Sequence, residues 1–297
     1  METEQKYILA VGANPCWEKL LTFQNFVPGE VNRASAAGGY AAGKAGNFCR
    51  ALKSLDGRYR GRQLTFLGGR TGEAFAEDQK REGLECLAVQ VQHETRTCIN
   101  CVCNGEMTEL VEPGFAPDEN ETAQFLKLLE EQIPGAAALA LCGTIPPGTP
   151  ESLVDGIIAL LQKQDIPVLL DNWQEAQKFL DADLKVLLKI NAAELKRLVG
   201  IANVPDALED LRRRYPGLIA GITAGPEKAW LIAPECDGAV QLSPRKLDLI
   251  VNPLGAGDVA SAVFIERFLE GCQPEEAFSE ALDAATKSCM NEIAGLF

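Results

Sequence analysis

The stretch "NPLGAGDVASAVFIERFLEG" at 252–271 decides the fold, because it joins a glycine-rich turn to a helical pattern. Two glycines, Gly255 and Gly257, precede Asp258, and apolar residues then recur at helical spacing. The preceding "KLDLIV" (246–251) has the apolar character of a strand. The sequence therefore predicts a strand, a glycine turn and a helix that carries a carboxylate in its first turn.

Short apolar runs alternate with helical patterns along the rest of the chain. This alternation is typical of βαβ units and predicts an α/β fold with a mainly parallel central sheet and helices on both faces. The apolar runs lie at 7–13, 63–69, 138–143, 166–171, 185–191 and 217–225. The helical patterns lie at 46–55, 73–83, 120–132, 150–164, 173–181, 192–199 and 205–214.

Two stretches break this pattern, at 16–36 and 94–112, where apolar and polar residues alternate with period two. The second contains "NGE" (104–106), which is a hairpin signal. We expect these stretches to form a small β-sheet that projects from the α/β body. Because the chain shows no linker, we expect 1–297 to be a single domain that carries this lid.

Composition narrows the classes of function. The formal net charge of −14 disfavours a nucleic-acid partner, since phosphate backbones need a basic surface. No signal peptide and no membrane span are apparent, so we expect a cytoplasmic protein without a membrane partner. The ten cysteines are dispersed, which favours reduced, buried thiols. The single histidine, His93, argues against a serine–histidine hydrolase.

The stretch "GGYAAGK" (38–44) matches most of the phosphate-binding P-loop pattern. The residue after Lys44 is Ala45, however, where that pattern needs a magnesium-binding Ser or Thr. We interpret the stretch as a glycine-rich turn, following a lid strand, with a useful lysine.

"GAGDVA" (255–260) fits a dinucleotide fingerprint, but no strand pattern follows it. A glycine turn before a helix also favours a bound anion, because backbone N–H groups converge there. Asp258 could cap this helix or act as a general base beside a phosphoryl group. The residues alone leave both readings open.

Three further motifs have a plain structural interpretation beside a functional one. "KINAAEL" (189–195) favours a helix start, with a carboxylate near a metal–nucleotide as the alternative. "TRTCINCVC" (95–103) lacks the ligands of a zinc site and favours strand packing. "LCGTIPPG" (141–148) is a loop after a strand, which is where α/β enzymes place ligand contacts.

Taken in order, these motifs resemble the PfkB (ribokinase-like) family of carbohydrate kinases over nearly the whole chain. "NPLGAGD" is the most specific of them. "VPGEVNR", "GKAGN" and "ETRT" suggest the branch that contains phosphofructokinase and tagatose-6-phosphate kinase. The resemblance implies transfer of a phosphoryl group from ATP, with Mg²⁺, to a sugar hydroxyl.

The resemblance also implies roles for individual residues. Asp258 matches the catalytic base, and the backbone amides of Gly255, Ala256 and Gly257 match the anion hole. The matching nucleotide and magnesium positions are Lys189, Asn191, Glu194, Thr223 and Gly225, with Gly257 again. The matching sugar contacts are Glu18, Gly43, Asn47 and Thr144.

Arg33, Lys44 and Arg96 match the basic positions around a phosphate already present on the sugar. The resemblance thus favours a ketose phosphate such as fructose 6-phosphate, fructose 1-phosphate or tagatose 6-phosphate. A kinase of a neutral sugar or nucleoside and a non-catalytic sensor remain alternatives. The family also implies a homodimer that pairs through the lid.

Some positions depart from the family pattern. Glu18 replaces an aspartate, Trp17 is bulky beside it, and Trp173 stands in the turn of "LDNWQ". These departures predict an intact phosphoryl-transfer signature beside an altered sugar pocket.

Overall fold

The computed structural model describes residues 6–104, 106–247 and 250–297. Within these residues, nine strands form a large sheet in the order β13-β12-β11-β10-β9-β8-β1-β4-β5. Its pairs from β5 to β11 are parallel, while β12 and β13 are antiparallel additions. The strands are β1 (Tyr7–Gly12), β4 (Arg60–Leu67), β5 (Glu85–Gln90), β8 (Ala136–Cys142), β9 (Val168–Asp171), β10 (Val186–Asn191), β11 (Ile219–Ala224), β12 (Lys228–Ile232) and β13 (Val240–Leu242).

Helices cover both faces of the large sheet, which confirms the predicted α/β architecture. One apolar core lies between the sheet and α3–α7, and a second lies between the sheet and α1, α8 and α9. The helices are α1 (Lys44–Leu55), α2 (Gly69–Arg81), α3 (Glu119–Gln132), α4 (Ser152–Leu161), α5 (Ala176–Leu180), α6 (Ala192–Val199), α7 (Val204–Arg214), α8 (Ala256–Leu269) and α9 (Pro274–Ser288), with a 3₁₀ turn at Ile133–Gly135.

The predicted small sheet is present, in the order β3-β2-β6-β7, and we keep the name lid for it; its strand β3 (Ala36–Ala42) extends beyond the predicted bound at 36. β2 (Cys16–Phe23) pairs in parallel with β6 (Thr97–Cys103), and the outer pairs are antiparallel. Cys103 pairs with Glu106, the first residue of β7 (Glu106–Val111). The hairpin predicted at "NGE" is thus present, although Gly105 itself lies outside the described residues.

Two predictions were wrong. "GGYAA" is not a turn, because β3 (Ala36–Ala42) pairs along β2 and only Gly43 makes the turn into α1. "KLDLIV" was predicted as a strand, but its described residues 246, 247, 250 and 251 lie outside any strand. Leu247 and Ile250 instead line a cavity, and Asp248 and Leu249 lie outside the described residues.

The fold brings the carboxyl ends of the parallel strands to one edge of the sheet. Gly12, Cys142, Asp171 and Asn191 are the last residues of four of these strands. α8 is buried on all of its faces, since every residue from Asp258 to Glu266 is buried. Within the described part of the chain, none of the helices has the length and apolar character needed to cross a membrane.

Candidate active site

The start of α8 is an uncapped helix end. Gly255 precedes the helix with φ 75° and ψ −5°, a left-handed conformation that favours glycine. No side chain caps this end, and the Ala256 N–H makes only a long hydrogen bond, of 3.4 Å, to the Pro253 carbonyl. The Gly257 N–H belongs to the same first turn, which has no intrahelical acceptor. Asp258, three residues into the helix, is 5% exposed. The turn therefore offers N–H groups to an anion beside a buried carboxylate.

The carboxylate of Asp258 is held from another helix. Oδ2 accepts a hydrogen bond from Asn47 Nδ2 of α1 at 2.7 Å. Burial, opposed by the charge of Lys44 and assisted by the negative charge of Asp171, raises the pKa of Asp258 to about 6. At pH 7 the group remains mostly ionised and is a stronger proton acceptor than an ordinary aspartate.

Asp171, at the end of β9, is the charge centre of the site. Its Oδ1 lies 2.7 Å from Lys44 Nζ, and its Oδ2 lies 3.8 Å from Lys189 Nζ. Ser261 of α8 donates a hydrogen bond to Oδ2 at 2.9 Å. Burial alone would raise the pKa of Asp171, but Lys189 and Lys44 hold it below its usual value. Asp171 thus stays ionised and fixes two ammonium groups.

The two lysines lie on different sides of this centre. Burial alone would lower the pKa of Lys44, but Asp171 and Asp258 raise it above its ordinary value, so Lys44 stays protonated. Lys189 lies at the first turn of α8, because a β-carbon at Gly257 would stand 2.8 Å from its Nζ. Lys44 is therefore the cation at the start of α1, and Lys189 is the cation beside the α8 turn.

A cavity of about 170 Å³ opens at the start of α1, and we call it the polar cavity. α1 begins after Gly43, which has φ 104° and no side-chain cap. The lining residues are Gly12, Asn14, Pro15, Gly43, Lys44, Ala45, Gln63, Arg96, Cys142, Gly143 and Thr144.

Arg96 is the uncompensated cation of the polar cavity. Its guanidinium donates to the carbonyl oxygens of Asn14, Pro15 and Glu112 at 3.3–3.4 Å. Among the described residues, no carboxylate forms an ion pair with it. Its positive charge is thus held in place but not neutralised, which is a suitable arrangement for binding an anion.

Arg33 does not belong to this cavity within one chain. It is exposed in the connection between β2 and β3, at the outer end of the lid. The polar cavity lies at the inner end, and the length of β2 separates the two by about 20 Å. The predicted convergence of three cations is therefore corrected to two, Lys44 and Arg96. Thr144 lies at the cavity as predicted and accepts a hydrogen bond from Asn14 Nδ2 at 3.0 Å.

The lid presents a buried carboxylate, Glu18, whose Oε1 accepts hydrogen bonds from Tyr40 and Asn100, both at 2.5 Å. Burial raises the pKa of Glu18. Trp17 projects from the opposite face of β2 and packs over Gly39, where a β-carbon would meet its ring at 3.0 Å. Trp17 and Glu18 therefore lie on opposite faces of the lid.

Trp173 also lies away from the polar cavity. Its ring packs beneath Arg197, 5.5 Å from the guanidinium carbon, at the edge of the first core. The sugar-pocket change predicted at this position is not seen in the lining of the cavity.

A second cavity, of about 310 Å³, lies beyond the α8 turn, and we call it the apolar cavity. Its walls are mostly apolar side chains, with Thr223 and Gly225 at one edge, where β11 ends. The lining residues are Thr223, Gly225, Pro226, Pro244, Arg245, Leu247, Ile250, Pro253, Ala256, Gly257, Ala260, Leu282, Ala285, Thr286 and Cys289. The α8 turn therefore borders the apolar cavity through Ala256 and Gly257, and the hydrogen bond from Asn47 to Asp258 connects it to α1, whose first residues line the polar cavity.

Asn191 and Glu194 form a capping box at the start of α6. Asn191 Oδ1 accepts from the Glu194 N–H at 2.9 Å, and Glu194 Oε2 accepts from the Asn191 N–H at 2.8 Å. The helix-start interpretation is confirmed, and the metal role stays a prediction. Within residues 6–104, 106–247 and 250–297, no three His, Cys, Asp or Glu side chains cluster as metal ligands. Mg²⁺ usually needs only one or two carboxylates beside substrate phosphates, so Glu194 fits that pattern.

Sequence reasoning missed two parts of the site. Asp171 was quoted in "LDNWQ" but given no role; its place at the end of a buried strand was the available signal. The C-terminal turns were missed entirely. Ala294 packs against Gly255, where a β-carbon would stand 2.8 Å from its own, and Ile293 packs against the lid.

Residues 9–294 match the family described as pfkB family carbohydrate kinase. The chain belongs to this family, and it is accordingly a phosphotransferase with an alcohol group as acceptor.

Solved structures share the fold. The tetrameric inhibited form of Escherichia coli phosphofructokinase-2 has a TM-score of 0.86 at 23% identity, covering 96% of this chain and 94% of that one. The same enzyme in complex with fructose-6-phosphate has a TM-score of 0.83 at 23% identity, covering 98% and 96%. A Thermotoga maritima protein described as a possible 1-phosphofructokinase has a TM-score of 0.83 at 18% identity, covering 97% and 93%.

Proposed function

We propose that this carbohydrate kinase phosphorylates a sugar phosphate of the fructose 6-phosphate, fructose 1-phosphate or tagatose 6-phosphate type. The observation that carries the proposal is Arg96, a fixed and unpaired guanidinium in the same cavity as Lys44. The uncapped start of α1 adds backbone N–H groups at the same place. A chain with net charge −14 gains a local anion site from these groups.

The acceptor hydroxyl would lose its proton to Asp258, which Asn47 holds in position. Charge that develops on the transferred phosphoryl group would be stabilised by the amides of the α8 turn and by Lys189. Glu18, Gly43 and Thr144 would contact the sugar. The lid would exclude water, which competes as an acceptor.

The donor in this proposal is ATP, with its base in the apolar cavity and its phosphates toward the α8 turn. Thr223 and Gly225 lie where the triphosphate would pass. Asn191 and Glu194 would hold Mg²⁺ through water. The ion supplies neutralisation of phosphate charge when bound.

We further propose a homodimer that pairs through the lid. The support is exposed apolar surface at Leu110 and Val111 on β7 and at Val31, whose exposures are 51%, 57% and 80%. Light scattering at micromolar concentration tests this, and a monomer there would remove it.

A coupled ADP-release assay with magnesium-ATP tests the function against a panel of sugars, sugar phosphates and nucleosides. We expect one ketose phosphate to exceed every neutral sugar in kcat/KM. Turnover of only a neutral sugar or nucleoside would contradict the phosphate site while keeping Asp258 as base. Binding of ATP and sugar phosphate without turnover would instead support a sensor.

A further inference from the structure

Arg50 is a buried cation whose contacts lead to the candidate base. It lies in α1, three residues after Asn47, and is 2% exposed. Its Nη1 donates a hydrogen bond to Asn47 Oδ1 at 3.1 Å. Asn47 in turn donates from Nδ2 to Asp258 Oδ2 at 2.7 Å. A chain of hydrogen bonds therefore runs from a buried guanidinium, through one amide, to the candidate base.

This chain fixes the orientation of the Asn47 amide. A guanidinium can only donate hydrogen bonds, and an ionised carboxylate can only accept them. The amide therefore satisfies both neighbours only with Oδ1 toward Arg50 and Nδ2 toward Asp258. Rotating the amide by half a turn would place its oxygen against the carboxylate, which favours the protonated acid. Arg50 thus opposes the amide orientation in which Asp258 would be a poorer proton acceptor.

Arg50 is itself held by two other elements. Its Nε donates to Glu82 Oε2 at 2.6 Å, where α2 ends. Its Nη2 donates to the Ala41 carbonyl of β3, and its guanidinium carbon lies 5.5 Å from the centre of the Tyr40 ring. Because α2 and a lid strand both fix the guanidinium, it forms a rigid support for Asn47.

We propose that Arg50 is a positioning residue, which keeps the Asn47 amide turned so that it donates to Asp258. This inference rests on the proposed function, in which Asp258 is the base. Among the described residues that line the polar and apolar cavities, Arg50 is absent. It therefore acts on the reaction through Asn47 and not by contact with a substrate.

Arg62 provides a matched control. Its Nε donates to Glu85 Oε2 at 2.7 Å, and its Nη1 donates to Gln132 Oε1 at 2.7 Å. Its guanidinium carbon lies 3.8 Å from the centre of the Tyr7 ring. Arg50 and Arg62 thus each contact one carboxylate, one amide and one tyrosine ring. Arg62 lies near the amino end of β4, at the opposite edge of the sheet from the candidate active site.

The test measures the pH dependence of kcat at saturating substrates. We expect Arg50→Met to lower kcat by about 10–100-fold, because Asn47 is no longer held in place. The midpoint should rise from about 6 by about one pH unit, because Asp258 loses a fixed donor. The KM for ATP should not change. Arg62→Met should keep the wild-type midpoint and kcat.

A double-mutant cycle with Asn47→Ala separates positioning from a direct effect of the Arg50 charge. In the Asn47→Ala background, Arg50→Met should shift the midpoint no further, because the positioned amide is already gone. A shift that persists there would overturn the inference, as would a wild-type midpoint in Arg50→Met itself. None of these variants alters the titratable groups nearest Asp258, which are Lys44 on α1, Asp171 on β9, Lys189 on β10 and the Cys142 thiol on β8.

A second variant covers the case in which Arg50→Met does not fold. Arg50→Lys keeps the charge, but one ammonium group cannot serve Asn47, Ala41 and Glu82 at once. We expect a smaller shift of the midpoint in the same direction, which again disappears in the Asn47→Ala background. An equal shift with and without Asn47 would overturn the inference.

The two proposals fail separately. Carbon-13 NMR of the aspartate carboxyl groups follows the titration of Asp258 without turnover, and Asp258→Asn assigns its signal. If no sugar phosphate is turned over but this midpoint rises in Arg50→Met, the proposed function fails and the positioning role stands. If sugar phosphate is turned over and both midpoints in Arg50→Met match wild type, only the inference about Arg50 fails.

Discussion

Two helices meet at the candidate active site, and both begin at a glycine in a conformation that favours glycine, without a side-chain cap. α1 begins after Gly43 at φ 104°, and α8 begins after Gly255 at φ 75°. The cavity beside α1 contains Lys44 and Arg96, whereas the cavity beside α8 is walled mainly by apolar residues. An uncapped helix start after a glycine thus lies beside a charged cavity in one place and beside an apolar cavity in the other.

Under the proposed function, this difference would place two ligands in separate cavities. Backbone N–H groups attract phosphate at both helix starts, but the side chains around them decide what is attached to it. Cations without apolar walls suit a small phosphate ester, while apolar walls suit a flat base. The hydrogen bond from Asn47 of α1 to Asp258 of α8 joins the two starts, and we place the reaction there.

Replacing the base should have the largest effect. Asp258→Asn removes the proton acceptor but keeps the shape, so kcat should fall by about 10²–10⁴-fold while both ligands still bind. Steady-state kinetics and calorimetric titration measure the two quantities. Asp283→Asn, an exposed aspartate of α9, is the control and should behave as wild type. Retained kcat in Asp258→Asn would remove the base from the mechanism.

Removing the unpaired cation Arg96 should weaken binding of the sugar phosphate and leave binding of ATP unchanged. Arg96→Gln should raise KM for the sugar phosphate by roughly 10–100-fold, because a charged hydrogen bond is worth about 1.5–3 kcal/mol. The KM for ATP should not change. Arg33→Gln is the matched control, since Arg33 lies at the outer end of the lid. If both variants lost affinity equally, Arg33 would have to reach the cavity from a second chain.

A change at the charge centre should move the pH profile. The negative charge of Asp171 raises the pKa of Asp258, so Asp171→Asn should lower that pKa. Activity in wild type should rise as the pH passes about 6, and in the variant this rise should occur at lower pH, with a reduced kcat. The pH dependence of kcat at saturating substrate measures this. Ser261→Ala keeps the Asp171 charge and should keep the wild-type midpoint. A midpoint that rises in Asp171→Asn would contradict the assignment.

The smallest expected effect concerns the support of the α8 turn. Ala294 is buried against Gly255, so Ala294→Val should push on the turn and lower kcat several-fold, with an overpacking cost of about 1–3 kcal/mol. Ala294→Gly adds no atoms against the turn and should retain more activity than Ala294→Val. Thermal unfolding of each variant separates lost stability from lost rate. Equal kcat in wild type and Ala294→Val would mean that the C-terminal turns do not hold the anion hole.

Much of the fold could be predicted because its signals are local. Buried parallel strands such as Val186–Asn191 appear as short apolar runs, and the lid strands alternate with period two. β3 was not predicted, because "AAGGYAA" contains only small residues and one tyrosine and so shows no alternation of apolar and polar residues. The strand predicted at 246–251 was wrong for the opposite reason, since Leu247 and Ile250 are apolar because they line a cavity rather than a sheet.

The site could be predicted as a set of residues but not as an arrangement. Asp258 and Asn47 were both named, yet their hydrogen bond spans 211 positions and depends on how α1 packs on α8. Arg33 was grouped with Lys44 and Arg96 because sequence order does not show which end of a strand is near the body. Asp171 was given no role, since its ion pairs with Lys44 and Lys189 become visible only when the packing of α1 and β10 around it is known.

The central claim is that the polar cavity binds a phosphate carried by the sugar. The most direct measurement is calorimetric titration of fructose 6-phosphate and of fructose into the nucleotide-free protein, for wild type and Arg96→Gln. We expect the phosphate ester to bind about 100-fold more tightly than the free sugar, and Arg96→Gln to remove most of this difference. Equal affinity of wild type for the two compounds would contradict the account.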